Sequence, residues 1–449
     1  MQKNMLEGKV FKSILMIAIP VIFANLLQTV YQLIDTFWVG RLGTEAVAAV
    51  SLSFPILFFL TSIAMGLAIA GSILIAQYNG KGDKRNVNLT TGQTFSLVTM
   101  IAIVLSIVGF FSSGFILSFL TKDPLVLIPA TSYLKISFMA IIAMFIYNIF
   151  QSALRGVGEV KIPLIIIGIS VIINFFLDPL FMFGWRFIPA MGVTGVAWAT
   201  FITEYLSAFV GIIILLTGKY GVKLKFRDLI PQLNWIKRIL KIGLPSSLEF
   251  SARSFGMVLM TFLVSGFGTL VVASYGIGTR ILSFIIIPSV GLSIAISALV
   301  GNNLGANQKK RAEEIAQLGI KIGFFTLTFL GIILFIFAKP ISTFFVPNEI
   351  DLITMSTSFI RIMALTFGFI GVQMVIFGTL KAAGLTTKSM FLSIFHTFSL
   401  FVLGYLLAIP FGLNELGIWI AYPVSNFLSL ILAYYYYMRK DWLKKELIN

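Results

Sequence analysis

Four acidic side chains stand inside stretches of sequence that are otherwise as apolar as a lipid tail: Asp35 in YQLIDTFWVG, Asp178 in NFFLDPLF, Glu204 in GVTGVAWATFITEYL and Glu249 in GLPSSLEFSARS. A carboxylate within a bilayer costs several kcal/mol unless it is paired, hydrated or protonated, so such positions mark ion or substrate pathways. Glu249 has a partner on offer. Arg253 follows four residues later on the same helical face, which leaves a structural and a functional role equally open. No cation precedes Asp178 within a turn; instead Asn174 presents an amide one turn before it. In the next apolar run Thr200 and Glu204 again lie one turn apart. Carboxylate, amide and hydroxyl oxygens suit a hard monovalent cation or a proton relay, and soft or nitrogen ligands are missing. Two carboxylates such as Asp35 and Asp178, brought together, make a site that takes a proton or cation when shut from water and yields it when hydrated.

The elements that position these groups are membrane helices. Apolar residues form 58% of the 449-residue chain and charged ones 11%, so burial in water cannot account for the surface. A hydrocarbon core about 30 Å thick takes roughly 20 apolar helical residues. The sequence predicts twelve such spans: 12–39, 46–78, 89–120, 125–154, 161–184, 190–217, 237–265, 270–302, 312–338, 351–382, 387–410 and 414–438. They lack the alternating polar positions of a barrel strand, which excludes a β-barrel. The first run is too long for a signal peptide and has no small-residue cleavage pattern, so it reads as a retained helix. Without cysteine there are no disulfides and no thiolate metal sites.

The net charge of +16 does not imply a nucleic-acid partner, because the basic residues sit in alternate connections. Lys81, Lys84, Arg85, Arg155, Lys161, the run from Lys219 to Lys241, Lys309, Lys310, Arg311, Lys381 and Lys388 share one side with both termini, while the other side carries only Arg41, Lys122, Arg186 and Lys339. The rule that basic loops face inward makes the first side the cytoplasm and places the protein in the inner (plasma) membrane.

The two halves are copies of one six-helix unit. IAIP aligns with IGLP and RLGT with GFGT at an offset of 225 residues, and ALRGVG aligns with TLKAAG at 226. Parallel repeats of this kind are related by an axis along the membrane normal and belong to transporters that rock around a central site. The expected organisation is an N-terminal lobe 1–217, a polar cytoplasmic linker 218–236 and a C-terminal lobe 237–449. At these offsets Asp35 corresponds to Met260, Asn174 to Leu400 and Asp178 to Gly404. Had the acids braced a shared scaffold, both halves would need them; the asymmetry favours an ion site special to the first lobe.

Other polar positions carry less. Pro20, in the helix of Asp35, removes a backbone hydrogen bond and permits a bend about four turns from the acid. His396 is the only histidine, which rules out a histidine metal cluster and suits a hydrogen-bonded structural role better than a proton relay. Arg280 is a further lobe partner, and Lys135 and Arg361, which are repeat equivalents, suit a scaffold or headgroup role. No phosphate-cradling loop precedes Lys388 in AAGLTTKS, and no H-E-x-x-H motif, hydrolase triad or T-V-G-Y-G filter occurs. Secondary transport is left standing, and the chain is not expected to be an enzyme.

The stretch IAIPVIFANLLQTVYQLIDTFWVGRLGTEAVAAVS, with NFFLDPLF, GVTGVAWAT and the GLP that opens the second half, resembles the multidrug and toxic compound extrusion (MATE) transporters from end to end, closest to their DinF-like or archaeal branch. The resemblance implies a V of two pseudo-symmetric six-helix lobes. It further implies export of bulky amphipathic, often cationic compounds by antiport with H+ or Na+, with no cofactor beyond the coupling ion. It puts the cation or proton site, including any Na+, on Asp35, Asn174, Asp178 and Thr200, with a backbone carbonyl near Val196 and bending at Pro20. Glu204, Glu249 and Arg253 are accessory. A second-lobe ion site is not expected, since the tenth span has Arg361 and no acid beyond its start. The expected partners are small amphipathic molecules and membrane lipids, with the chain a monomer. The alternatives are a lipid-linked saccharide flippase, which would need intramembrane bases for its pyrophosphate, and a membrane enzyme acting on lipid, which lacks a nucleophile with a base.

Overall fold

The computed structural model describes residues 2–444 and 447–448; the predicted lobe ends Met1 and Asn449 lie outside the described residues. The described residues are mostly helical. The first half contains α1 (Val10–Val39), α2 (Thr44–Gly80), α3 (Lys84–Ser118), α4 (Pro124–Gly156), α5 (Lys161–Phe183) and α6 (Val193–Thr217). The second contains α7 (Leu233–Ser265), α8 (Thr269–Gly305), α9 (Lys309–Phe345), α10 (Ile350–Ala364), α11 (Phe367–Ala382), α12 (Thr386–Ala408) and α13 (Asn414–Met438). Among the described residues, 11 helices are long and apolar enough to cross a membrane, and α10 with α11 completes a twelfth span.

Local chemistry sets the helix ends. Asp83 caps α3 by accepting from the Asn86 N–H at 3.0 Å, and Asp123 caps α4 by accepting from Leu125 N–H at 3.0 Å, with Pro124 at the position where no donor is needed. The turns opening α2 and α8 use Gly43 (φ 109°) and Gly268 (φ 97°), repeat equivalents in a backbone region that a Cβ would strain.

The tenth span is one predicted run, 351–382, but the structure breaks it between α10 and α11 with a 50° bend. No proline marks the place. Backbone freed inside a membrane must be satisfied by protein, and here it is: Thr366 N–H donates to Met363 O at 3.1 Å, and the Thr366 carbonyl accepts from both Phe369 and Ile370. Asn426 Nδ2 on α13 donates to Thr366 Oγ1 at 3.2 Å and holds the corner from outside.

Packing divides the chain into two compact units, one comprising Phe23–Ser247 and the other Lys3–Ile22 with Leu248–Asn449. The boundaries fall inside α1 and α7 rather than in 218–236, and they are 225 residues apart, so each unit takes in the opening segment of the other repeat's first helix. In the first unit α4 is central, packed on α2, α3 and α6, with Phe138, Phe145 and Ile149 in its core. In the second, the corresponding α11 packs on α8, α9 and α13. Its core packs Phe359 against Trp419 with ring centroids 4.2 Å apart and the planes tilted by 35°. Gly323 of α9 and Gly371 of α11 meet backbone to backbone, a close approach that any larger side chain would prevent. The segment 218–236 is strapped to α3 of the first unit: Gln93 Nε2 donates to the carbonyls of Asp228 and Ile230, both at 2.7 Å.

Candidate functional site

In the first unit α1, α5 and α6 bring the predicted oxygen ligands together. Helix α1 lies on α5 through Leu27, Tyr31 and Ile34 against Ile167 and Val171, which fixes the face carrying Asp35. Asp35 lies near Asp178, Glu204 and Thr200. Asn174 and Asp178 are both fully buried, and Asn174 Nδ2 donates to Asp178 Oδ1 at 3.2 Å, as their one-turn spacing allows. Val196, also fully buried, lies one turn before Thr200 in α6, and Glu204 one turn after it.

The cluster has more acceptors than donors. Asp35 Oδ1, Asn174 Oδ1, Asp178 Oδ2 and Glu204 Oε2 are all buried without a hydrogen-bond partner. No basic side chain pairs with Asp35, Asp178 or Glu204 among the described residues. An orphaned buried acceptor costs about 1–3 kcal/mol, more if charged, so four together call for protons or a cation. Asn174 serves both sides of this balance: its amide nitrogen steadies Asp178 while its oxygen stays free. No group of three or more His, Cys, Asp or Glu side chains could hold a metal among the described residues. The donor set here is two carboxylates, an amide and a hydroxyl, hard oxygens that suit a proton or an alkali cation rather than a transition metal.

Sequence reasoning missed two members. Tyr31, one turn before Asp35 on the same face of α1 and only 4% exposed, lies 2.6 Å from Thr203 Oγ1. The Tyr31 and Thr203 hydroxyls share one hydrogen bond, which bridges α1 to α6, and Thr203 Oγ1 also lies 3.0 Å from Ala199 O and 3.1 Å from Thr200 O. The one-turn spacing before Asp35 was the available signal for Tyr31; Thr203 had none beyond lying next to Glu204.

The second unit holds a different cluster. Glu249 is fully buried, and its Oε1 accepts from Arg253 at 3.0 Å and from Lys381 Nζ at 2.9 Å, while Oε2 accepts from Ser389 Oγ at 2.9 Å. Arg253 Nε also donates to Ser393 Oγ at 3.0 Å. Lys381 corrects the reading that placed it in a cytoplasmic connection: it lies in α11, 9% exposed, drawn inward by a carboxylate 132 residues away. Nothing local in the sequence announces that pairing. Two cations around one carboxylate leave the cluster with a formal excess of one positive charge.

His396 Nε2 donates to Asn426 Oδ1 at 2.9 Å, which joins the histidine to the corner at Thr366 and assigns its proton to Nε2. Arg280 lies exposed on α8. Helix α1 runs unbroken through Pro20. Lys135 and Arg361 each lie over a phenylalanine, Phe110 at 5.5 Å and Phe335 at 5.4 Å, and these rings are themselves repeat equivalents.

Two repeats of six spans, each with its own buried polar cluster, define a polytopic transporter architecture. The MatE family model matches residues 20–180 and 245–406, one match in each repeat, and the chain belongs to that family. It is 29% identical over 446 residues to the probable multidrug resistance protein YoeA of Bacillus subtilis (strain 168), covering 98% of this chain and 96% of that one. It is 24% identical to the FAD transporter of Shewanella oneidensis, covering 96% and 95%. Among solved structures it matches a crystal structure of MATE in complex with MaL6, with a TM-score of 0.92, 25% identity and 99% of each chain covered.

Proposed function

We propose that the chain is a secondary multidrug exporter of amphipathic, often cationic organic compounds. It works by alternating access and is driven by inward movement of H+ or Na+ taken up among Asp35, Asn174, Asp178 and Thr200. The observation that carries the coupling site is the set of unpartnered buried oxygens on Asp35, Asn174 and Asp178 with no base beside them. A proton on one carboxylate lets it donate to the other, and a sodium ion shared between them replaces that hydrogen bond; either species relieves the same deficit. Asp35 and Tyr31 lie on α1, so uptake acts on a helix whose ladder Pro20 has already weakened. The basic connections favour a plasma-membrane protein with both ends cytoplasmic, acting as a monomer. The family match and the resemblance to YoeA support the export reading.

The test is efflux of a fluorescent lipophilic cation from liposomes containing purified protein, under an imposed proton or sodium gradient, with Asp35→Asn beside the wild type. Gradient-driven efflux that Asp35→Asn abolishes supports the reading and names the ion. Efflux unchanged in Asp35→Asn overturns the site, and no efflux under either gradient overturns the function.

A second reading, cargo bearing an anionic group, is favoured by the excess positive charge of Arg253 and Lys381 around Glu249 and by the Shewanella relative named for FAD. The lipid-linked saccharide flippase needs the same chemistry. Slowing of dye efflux by FAD, but not by riboflavin, would favour it.

A further inference from the structure

A cavity of about 470 Å³ opens between α9 and α10, and Phe335, Lys339, Thr354, Thr357, Ser358 and Arg361 supply most of its wall. It is lined by two cations and no acid. Neither Lys339 nor Arg361 forms an ion pair among the described residues, and the nearby acids Glu349 and Asp351 bridge to neither. Arg361 Nε donates to Phe335 O at 3.3 Å and its guanidinium lies over the Phe335 ring, so one N–H is used and four stay free for a ligand. Independently, Thr357 lines the same cavity, is 7% exposed, and its Oγ1 has no hydrogen-bond partner.

Helix direction makes the two cations converge. Side chains lean toward a helix's N-terminus, so Lys339, near the end of α9, leans away from the α9–α10 turn while Arg361, beyond the start of α10, leans toward it. At about 1.5 Å per residue they sit ~9 Å and ~16 Å from that turn, so these opposed leans bring the two charges toward one level. The surroundings are those of acyl chains. Leu365, in the cavity wall, is 68% exposed, and Phe329, Ile332 and Ile336 carry an exposed apolar stripe along α9.

We infer that this cavity binds the phosphate headgroup of an anionic glycerophospholipid. The repeat sharpens the assignment. The first unit keeps the cation over its ring, Lys135 over Phe110, but the counterpart of Lys339 is Gly114, so only the second unit has a pair of cations. A double positive charge with free hydroxyls asks for a lipid with net negative charge rather than a zwitterionic one.

The experiment is native mass spectrometry of the purified protein titrated with phosphatidylglycerol, phosphatidylcholine or inorganic phosphate. The variants are Lys339→Gln with Arg361→Gln together, and Lys135→Gln as the control. Wild type and Lys135→Gln should retain phosphatidylglycerol in preference to phosphatidylcholine, and the double variant should lose that affinity by roughly 25-fold, about fivefold per cation. Equal retention of the two lipids, or an unchanged double variant, overturns the site. Displacement of phosphatidylglycerol by millimolar inorganic phosphate makes the ligand a soluble anion and overturns the lipid. If the double variant does not fold, the charge-preserving K339R with R361K decides: a kept preference supports the site and a lost one removes it.

Discussion

The first unit gathers Asp35, Asp178 and Glu204 with no base to answer them, whereas the second gathers Arg253 and Lys381 around the single acid Glu249. The repeat lets these be compared position by position. Where the first unit sets Asp35 against Asp178, the second sets Met260 against Gly404, with the methionine methyl lying over the glycine. Where the second places Glu249 and Arg253, the first has Ala24 and Gln28, although Lys381 and Arg155 are equivalent bases. The helices are shared and the polar chemistry is not. A duplicated scaffold can thus leave buried oxygens of one copy without partners while the other copy satisfies its buried acid from the protein itself.

That contrast separates stability from transport. Glu249→Gln leaves the buried Lys381 and the half-buried Arg253 without their counter-charge and should cost about 3 kcal/mol of unfolding free energy, read by denaturant titration in micelles. A cost near zero would mean that water or lipid already screens the cluster. Met260→Asp puts an unpaired acid into the second unit's sealed counterpart of the first-unit site and should cost about 3 kcal/mol in the same assay. Tyr31→Phe removes the hydroxyl that bridges to Thr203 and should cost about 1 kcal/mol. Asp35→Asn should change stability by less than about 1 kcal/mol, because the carboxylate it replaces has no basic partner to lose.

The architecture was legible because apolar run length and the 225-residue offset are long-range signals that survive local noise. The predicted ends erred mainly at polar helix turns: α9 begins at Lys309 and ends at Phe345, beyond the apolar run 312–338, since helix continues past the hydrocarbon. The acid cluster was legible because unpaired acids are conspicuous in apolar runs and their partners lie one turn away. The bend at Thr366 was not, because Asn426 holds it from another helix. Lys381 was misread because a lysine near a helix end looks like a loop residue until Glu249 claims it.

The most direct test of the central claim is dye efflux by wild type and Asp35→Asn in the same liposomes, with each protein's unfolding free energy measured in parallel. The account predicts that the variant keeps its stability and loses gradient-driven efflux. A variant that still exports at the wild-type rate, or that fails only because it unfolds, would contradict it.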